Sequence, residues 1–422
     1  MKLMNLNPKR LFLPTQRLLS TSSLRDSDVV IVSFARTPIG KLGGALSTMT
    51  APRLASHTIV EAMQRSHLPD RYIEEAFFGN VVSAGIGQAP TRQAVIYAGL
   101  PLDIPSTTIN KVCASGMKAL MLASLSISAG YRHACLAGGM ESMSNIPYYL
   151  PGARTGYRLG NSQVIDGLIN DGLWDIYNNQ HMGNCGEACA EAFSISREEQ
   201  DQYAVMSYER ATSAWLLGKM NDEVVPIEIL GKKGAPPVHV IQDEEFSNIK
   251  LDKVTTLRPA FKKDGGTVTA ANSSKINDGA ATMVVVSGKL CKELNLKPLF
   301  KVRGFGDAAR DPLEFTTAPA DAIPRALRHA GLSLTDVDYH EINEAFAVVP
   351  LVNARYIQMY YKHRYPLTLI LFSIILSPSM IRIFQTLESR YRQNKRFRRC
   401  NRFGPPYRMF RSSHNRHPIQ CT

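Results

Sequence analysis

Closely spaced cysteines are missing from this sequence. Its 422 residues contain seven cysteines, and no two of them are separated by only two residues. A scattered, odd-numbered set of cysteines excludes a dense disulfide framework and favours a reducing compartment. His181, Cys185 and Cys189 are spaced four residues apart and would share one face of a helix. Because structural zinc normally draws a further ligand pair and none is evident, we do not predict a zinc site.

Acidic residues are nearly absent from both ends of the chain. Residues 1–25 carry five basic residues and no acid, and residues 355–422 carry fourteen basic residues and one acid, Glu388. Residues 26–354 carry 30 basic and 35 acidic residues, so their net charge is −5 although the whole chain has +13. The overall basicity therefore indicates no partner for the central part of the molecule.

Long apolar runs are also missing. The uncharged, mostly apolar stretch Leu367–Leu376 lies between Pro366 and Pro378 and is shorter than the roughly 20 residues of a membrane-spanning helix. We therefore expect no membrane anchor. We also expect no nucleic-acid partner, because the basic segment Arg390–Arg402 supports only weak, salt-sensitive binding without a recognition module.

The first 25 residues are basic and rich in hydroxyl groups. Their compact apolar piece, Leu11–Leu13, ends at Pro14 and is too short for a secretory signal. This composition predicts a mitochondrial transit peptide over residues 1–25 and a location in the mitochondrial matrix. A basic tail with no targeting role is the alternative.

Short β-branched runs alternate with segments of helical spacing through much of the chain. This alternation predicts an α/β fold with a mostly parallel sheet covered on both faces. Strands are predicted at Val29–Ser33, Glu75–Val82, Ser106–Asn110, Ala134–Gly139, Ala281–Val286, Phe300–Val302 and Tyr339–Ile342. Helices are predicted at Leu54–Ser66, Arg92–Gly99, Ala114–Ala129, Gly186–Ala192, Arg197–Leu217 and Ala320–Ala330.

The pattern divides the chain into four parts after the leader. Residues 27–280 form a first half, within which residues 147–265, rich in Gly, Asn, Asp and Pro, form an inserted loop domain. Residues 281–354 resume the α/β pattern as a partial second half. Residues 355–422 form an unrelated basic tail. We therefore predict two similar βαβ-rich halves around a loop insertion, with the second half incomplete.

Cys113 is the candidate nucleophile. It lies at the end of a predicted strand and in the first turn of a predicted helix, where unpaired N–H groups and the positive helix end favour a thiolate. This position predicts a lowered thiol pKa. A buried structural cysteine is the alternative.

Several motifs give the sequence a family resemblance. Asn110–Ala119 (NKVCASGMKA) and Ala137–Ser144 (AGGMESMS) resemble the thiolase family of acyl-CoA acyltransferases. His181–Gly183 (HMG), Thr267–Ala281 (TVTAANSSKINDGAA) and Asn343–Phe346 (NEAF) agree in order and approximate spacing. The resemblance covers about residues 27–354 and is strongest to the mitochondrial acetoacetyl-CoA type. It implies the thiolase fold and an enzyme that reversibly converts two acetyl-CoA into acetoacetyl-CoA and CoA.

The resemblance also implies roles for individual residues. Cys113 would be the acylated nucleophile, and Asn343 would hold a water in the oxyanion hole. His181, Met182 and Ser274 would line the pantetheine channel, and Lys253 would meet the CoA phosphates. The alternatives are purely structural roles: His181 as a core histidine, Ser274 as a turn cap and Lys253 as a solvated charge.

The resemblance to the mitochondrial acetoacetyl-CoA type also implies a bound ion and an oligomeric state. This type binds potassium, and the matching positions are Tyr208 and the carbonyls of Ala270, Ala271 and Ser273. It has no tightly bound cofactor, takes a coenzyme A thioester as substrate and is a homodimer or homotetramer.

The sequence departs from the family after the NEAF motif. The family continues with a Gly-His-Pro segment, whose histidine activates the nucleophile, and a Cys-x-Gly-Gly-Gly segment, whose cysteine moves the α-proton. The sequence contains neither, and Gly404 is its one glycine after Ala354. We therefore expect impaired catalysis. The alternative is a non-catalytic thiolase-like protein that binds ligand or other subunits.

Overall fold

The computed structural model describes residues 21–231 and 235–360. These residues contain thirteen strands and nine helices. The strands are β1 Val29–Arg36, β2 Gly40–Lys41, β3 Glu75–Gly79, β4 Ser106–Ile109, β5 Ala134–Ser142, β6 Tyr148–Tyr149, β7 Ile165–Asp166, β8 Trp174–Asp175, β9 Gln180–His181, β10 Ile227–Ile229, β11 Val238–Val240, β12 Asn277–Ser287 and β13 Phe300–Val302. The helices are α1 Ala51–Ser66, α2 Pro90–Tyr97, α3 Ser115–Ser128, α4 Met182–Ala192, α5 Arg197–Leu216, α6 Glu245–Asn248, α7 Gly288–Glu293, α8 Pro319–Ala330 and α9 Val348–Tyr360.

Several predicted segments lie outside the described residues. They include the first 20 residues of the predicted transit peptide, the apolar stretch Leu367–Leu376 and the basic segment Arg390–Arg402. Among the helices that are described, none is both long and apolar enough to span a bilayer.

One seven-stranded sheet has the strand order β13-β1-β12-β5-β3-β4, with β2 paired to β12. Strands β5, β3 and β4 are parallel to one another, but β12 runs antiparallel to both of its neighbours, β1 and β5. Strand β13 is also antiparallel to β1. The prediction of a mostly parallel sheet is therefore wrong, because the sheet is mixed. The chain returns from its long loop region at the end of β5, where Asp278 pairs with Ser142, so β12 can only run back along the sheet.

Helices cover both faces of the sheet, as predicted. Alternate residues of a strand point to opposite faces, and β1 follows this rule: Val30 and Val32 pack with α1, whereas Val29 and Ile31 pack with α3. The α1 side of the core contains Leu54, Ala55, Ile59 and Ala62, and the α3 side contains Ala119, Ala123 and Ile127. The sheet therefore holds the first turn of α3 in a fixed position relative to the strand ends.

The loop region between β5 and β12 is anchored to the sheet by Arg36. Its guanidinium donates to Glu223 at 2.8 Å and to both carboxylate oxygens of Asp243, at 2.7 and 3.1 Å. Asp243 also accepts hydrogen bonds from the Ile39 N–H at 2.8 Å and the Trp215 indole at 3.1 Å. This buried network explains why a chain segment rich in loops keeps a defined place.

The predicted second half, residues 281–354, contains most of β12, α7, β13, α8 and the first part of α9. The predicted strand Tyr339–Ile342 is wrong, because these residues are irregular and have no partner strand among the described residues. Helix α9 passes through residue 354, where sequence analysis placed a domain boundary. Arg355 donates to the Phe193 carbonyl at 2.9 Å and to Glu199 at 2.6 Å. Packing onto the loop region thus continues into α9.

Candidate active site

Cys113 lies in the connection between β4 and α3, as the sequence predicts. The preceding residue, Val112, has a left-handed backbone with φ of 47°, which is strained for a β-branched side chain. Two side chains hold this conformation: Asn110 accepts from the Val112 N–H at 2.9 Å, and Ser115 donates to the Val112 carbonyl at 2.6 Å. Such strain at a sharp strand-to-helix turn is typical of functional sites.

The turn also needs a close approach between β3 and α3. A Cβ on Gly79 would lie 2.5 Å from the Ser115 carbonyl carbon, so no larger residue fits there without a backbone shift. Gly79 therefore lets β3 end directly against the first turn of the helix that carries Cys113.

Glu141, at the end of β5, holds the loop that follows β3. Its carboxylate accepts from the Val81 N–H at 2.8 Å, the Val82 N–H at 3.2 Å and the Asn80 amide at 2.9 Å. Burial raises the pKa of Glu141 to about 7, although these three donors oppose that rise. The negative charge of Glu141 also acts on Cys113, the candidate nucleophile.

The expectation of a lowered thiol pKa at Cys113 is wrong. Cys113 is accessible to solvent, yet the protein packed around its sulfur raises the pKa of the thiol, and Glu141 raises it further, against the opposing effect of the residue's own N–H. A helix N-terminus therefore does not suffice to activate this cysteine. At neutral pH the sulfur is protonated, and a base is needed to make it nucleophilic.

The NEAF motif and the TVTAANSSKINDGAA motif lie side by side. The Ser274 N–H donates to the Ala345 carbonyl at 2.9 Å, and the Ala347 N–H donates to the Asn272 carbonyl at 2.8 Å. Glu344 is buried and accepts from the Tyr203 hydroxyl at 2.7 Å and from Ser207 at 2.8 Å. The buried Glu344 fixes the segment to α5, so the adjacent Asn343 is presented to solvent.

His181 and Met182 stand at the start of α4, next to the same two motifs. The His181 ring caps the helix, because its Nδ1 accepts from the Gly183 N–H at 3.0 Å. The ring stacks on Phe261 with centroids 4.7 Å apart, and Phe261 meets Phe346 edge-on at 6.3 Å. The aromatic contacts therefore join His181 to the NEAF segment. Among the described residues no group of histidine, cysteine or acidic side chains could hold a metal ion.

Ser274 and Lys253 are both exposed. Within the described chain the Ser274 hydroxyl makes no hydrogen bond to the turn 277–279. Lys253 lies in a 3-10 helix, Leu251–Thr256, which Arg197 holds through the Val254 and Leu257 carbonyls at 3.2 and 2.8 Å. Both side chains can meet a ligand, although no described contact joins them to Cys113.

The predicted potassium ligands lie partly together. The Tyr208 hydroxyl donates to the Ala271 carbonyl at 3.4 Å, and burial raises the pKa of Tyr208 to about 12, so the hydroxyl stays neutral. The Ser273 hydroxyl donates to the Thr269 carbonyl at 2.7 Å. The Ala270 carbonyl accepts from the ammonium of Lys275.

Sequence reasoning missed the buried carboxylates that fix these motifs. Glu187 on α4 accepts from the Thr267 and Val268 N–H groups at 2.8 and 2.9 Å, and Asp278 accepts from the Ser144 N–H at 2.9 Å. Glu141 and Asp278 each lie within a recognised motif, and an acid directly at the end of a buried strand was a usable signal. Glu187 had none.

Comparisons with known proteins show which proteins this chain is similar to. Two family models match, the thiolase N-terminal domain over residues 29–289 and the thiolase C-terminal domain over residues 296–364. The chain is 52% identical to acetyl-CoA acetyltransferase 1 of Arabidopsis thaliana, over 80% of this chain and 81% of that protein. It is 48% identical to the mitochondrial acetyl-CoA acetyltransferase of Bos taurus (79% and 78%) and 49% identical to the cytosolic acetyl-CoA acetyltransferase of Gibberella zeae (78% and 82%).

Solved structures show the same fold. The Acat5 thiolase of Ascaris suum in complex with coenzyme A superposes with a TM-score of 0.74 at 42% identity, covering 78% of this chain and 84% of that one. The acetyl-CoA acetyltransferase of Syntrophomonas wolfei superposes with a TM-score of 0.76 at 38% identity, covering 81% and 85%.

Proposed function

The chain belongs to the thiolase family of acyltransferases, and from this premise we propose that it uses acetyl-CoA as an acetyl-CoA acetyltransferase does. The observation that carries the proposal is Cys113, accessible to solvent on a strained strand-to-helix turn. The proposal is also supported by relatives about 50% identical to this chain that are named acetyl-CoA acetyltransferases.

The first step in this proposal is transfer of the acetyl group to Cys113. The sulfur attacks the thioester carbonyl carbon, a new carbon–sulfur bond forms, and the CoA thiolate leaves and receives the proton that Cys113 loses. The Cys113 N–H and a water held by the exposed Asn343 amide stabilise the negative oxygen of the intermediate. His181, Met182 and Ser274 line the approach of the pantetheine arm, and Lys253 meets the phosphates.

We propose that this chain completes the first step slowly and the second step not at all. The sequence lacks the family's Gly-His-Pro histidine, and the pKa of the Cys113 thiol is raised, so the nucleophile is rarely ionised. The second step requires a base to remove the α-proton of another acetyl-CoA. The family's Cys-x-Gly-Gly-Gly cysteine, which would do this, is absent from the sequence.

A thiolysis assay tests the loss of turnover. The purified 422-residue chain is mixed with acetoacetyl-CoA and CoA, and acetyl-CoA is quantified beside a Cys113→Ala variant. We expect the two proteins to be indistinguishable. Thiolysis by the wild type that Cys113→Ala abolishes would show that the chain is a complete catalyst.

The location of the protein in the cell is a further part of the proposal. We infer import into the mitochondrial matrix with residues 1–25 as the targeting segment, although curated relatives include both mitochondrial and cytosolic proteins. Leu24 is buried in the core and the Arg25 N–H donates to Asp28 at 2.9 Å. Because these contacts belong to the folded body, we expect the cut to fall before Leu24, so that the removed leader is slightly shorter than residues 1–25. N-terminal sequencing of the mature protein from mitochondria tests this.

Binding to other subunits is the second candidate function. Val112 and Met117, on either side of Cys113, are 44% and 42% exposed, and a partner subunit would cover these apolar side chains. We infer a homodimer or homotetramer, or assembly with complete thiolase subunits. Co-purification of a tagged chain with a full-length thiolase subunit supports the mixed assembly, and migration of the chain alone as an aggregate contradicts it.

A further inference from the structure

The carbonyls that would hold potassium already accept hydrogen bonds from the chain itself. The Lys275 ammonium donates to the Ala270 carbonyl, and the Tyr208 hydroxyl donates to the Ala271 carbonyl at 3.4 Å. Tyr208 is itself one of the predicted ligands, so the donor that does not belong to the predicted ligand set is Lys275. This donor carries a full positive charge.

A potassium ion does not fit beside this ammonium. Potassium is held by several carbonyl oxygens that replace its hydration shell, and the ammonium already occupies one of them. Two cations on the same carbonyl oxygen would lie within a few ångströms and repel each other. Glu245 interacts electrostatically with both Lys275 and Tyr208, and Glu344 also acts on Tyr208, so the ammonium already lies in an acidic environment that would otherwise attract a metal cation.

We propose that the Lys275 ammonium takes the place of the monovalent cation, so that this chain needs no potassium. Lys275 directly follows Ser274, whose N–H donates to the Ala345 carbonyl at 2.9 Å. The bond from Lys275 to Ala270 closes the turn 270–275 and fixes the backbone that holds the NEAF segment. Lys275 is a positioning residue, since it acts through this turn. The inference is independent of turnover, because it concerns the stability of the fold.

Thermal unfolding of the full chain in different salts tests the inference. Unfolding is followed in potassium chloride and in choline chloride at equal ionic strength. The wild type should have the same Tm in both salts. Lys275→Ala should lose about 2 to 4 °C in choline chloride and recover part of that loss in potassium chloride, because the freed carbonyls can then bind the ion.

Two variants serve as controls. Lys275→Arg keeps a cation at the turn and should show no response to potassium, and Lys297→Ala removes an exposed lysine elsewhere and should behave as the wild type does. Stabilisation of the wild type by potassium over choline would overturn the inference. A Lys275→Ala protein without any potassium-specific gain would also overturn it. If that variant does not fold, Lys275→Met, which keeps the apolar length of the side chain, replaces it.

Discussion

The charge state of two side chains near the β4–α3 turn decides what this site can do. Cys113 and Glu141 are both held in their protonated forms more strongly than in water, because burial is the first cause of the raised pKa in each case. Glu141 uses its carboxylate to organise the loop after β3, so its charge serves the structure. The same charge opposes ionisation of Cys113.

Alkylation of Cys113 should be slow at neutral pH. Because the pKa of this thiol is raised, its rate of reaction with iodoacetamide should climb steadily with pH and still be rising at pH about 9. The modified peptide is quantified by mass spectrometry, with Cys113→Ala as the blank; Cys135, Cys185, Cys189 and Cys291 are buried. A rate that levels off below pH about 8 would show an activated thiolate.

Glu141 should make the protein less stable as the pH rises. Its pKa is about 7 in the folded chain against 4.5 as the ordinary value, so between these values the folded state binds more protons than the unfolded state. The stabilisation is therefore complete below pH 4.5 and is lost as the pH rises through about 7, a change of about 3 kcal/mol.

Urea unfolding at pH about 5 and about 8 measures this contribution. The difference between the two pH values should shrink by about 2 kcal/mol in Glu141→Gln relative to the wild type. Glu198→Gln, which changes an exposed helix residue, is the matched control and should keep the wild-type difference. An unchanged difference in Glu141→Gln would exclude Glu141 as its source.

At the level of elements, long-range polar contacts attach the loop region to the sheet. Arg36 joins the end of β1 to Glu223 and Asp243, residues about two hundred positions away in the sequence. Glu187 and Glu344 attach α4 and α5 to the motifs of the site in the same manner. Which residues become partners depends on the tertiary fold, and no local sequence pattern predicts them.

Loss of Arg36 should strongly destabilise the protein. Arg36→Ala leaves two largely buried carboxylates without their partner, which costs about 3 to 5 kcal/mol in the free energy of unfolding. The measurement is urea unfolding of both proteins. Lys292→Ala, which removes a surface ion pair with Asp26, should cost less than about 1 kcal/mol. Equal effects of the two substitutions would contradict the assigned role of the Arg36 network.

Whether an element could be predicted from sequence depended on how local its signal is. Strand Phe300–Val302 and helix α8 were predicted almost to the residue, because short apolar runs and helical spacing are local signals. The direction of β12 and the irregular conformation of Tyr339–Ile342 were not predicted correctly, because both depend on which strands are available as partners. In the candidate site, the motifs predicted roles for Cys113, His181 and Asn343, and these roles stay predictions. The Lys275 contact depends on folding, as does the raised pKa of Cys113.

At the scale of the whole molecule, the chain combines a thiolase body with a sequence that lacks two catalytic segments. The body supplies the turn that carries Cys113 and the exposed Asn343 amide. We propose that it has no base for the second step, because the sequence contains neither the Gly-His-Pro nor the Cys-x-Gly-Gly-Gly segment. The central claim is therefore that the chain is acetylated on Cys113 and stops there.

Intact-mass spectrometry of the purified chain after incubation with acetyl-CoA tests this claim most directly. We predict that the protein gains the mass of one acetyl group, that digestion places it on Cys113, that Cys113→Ser gains none, and that no acetoacetyl-CoA is formed. Acetoacetyl-CoA accumulating in proportion to the amount of enzyme, or a wild-type chain that stays unmodified, would contradict it.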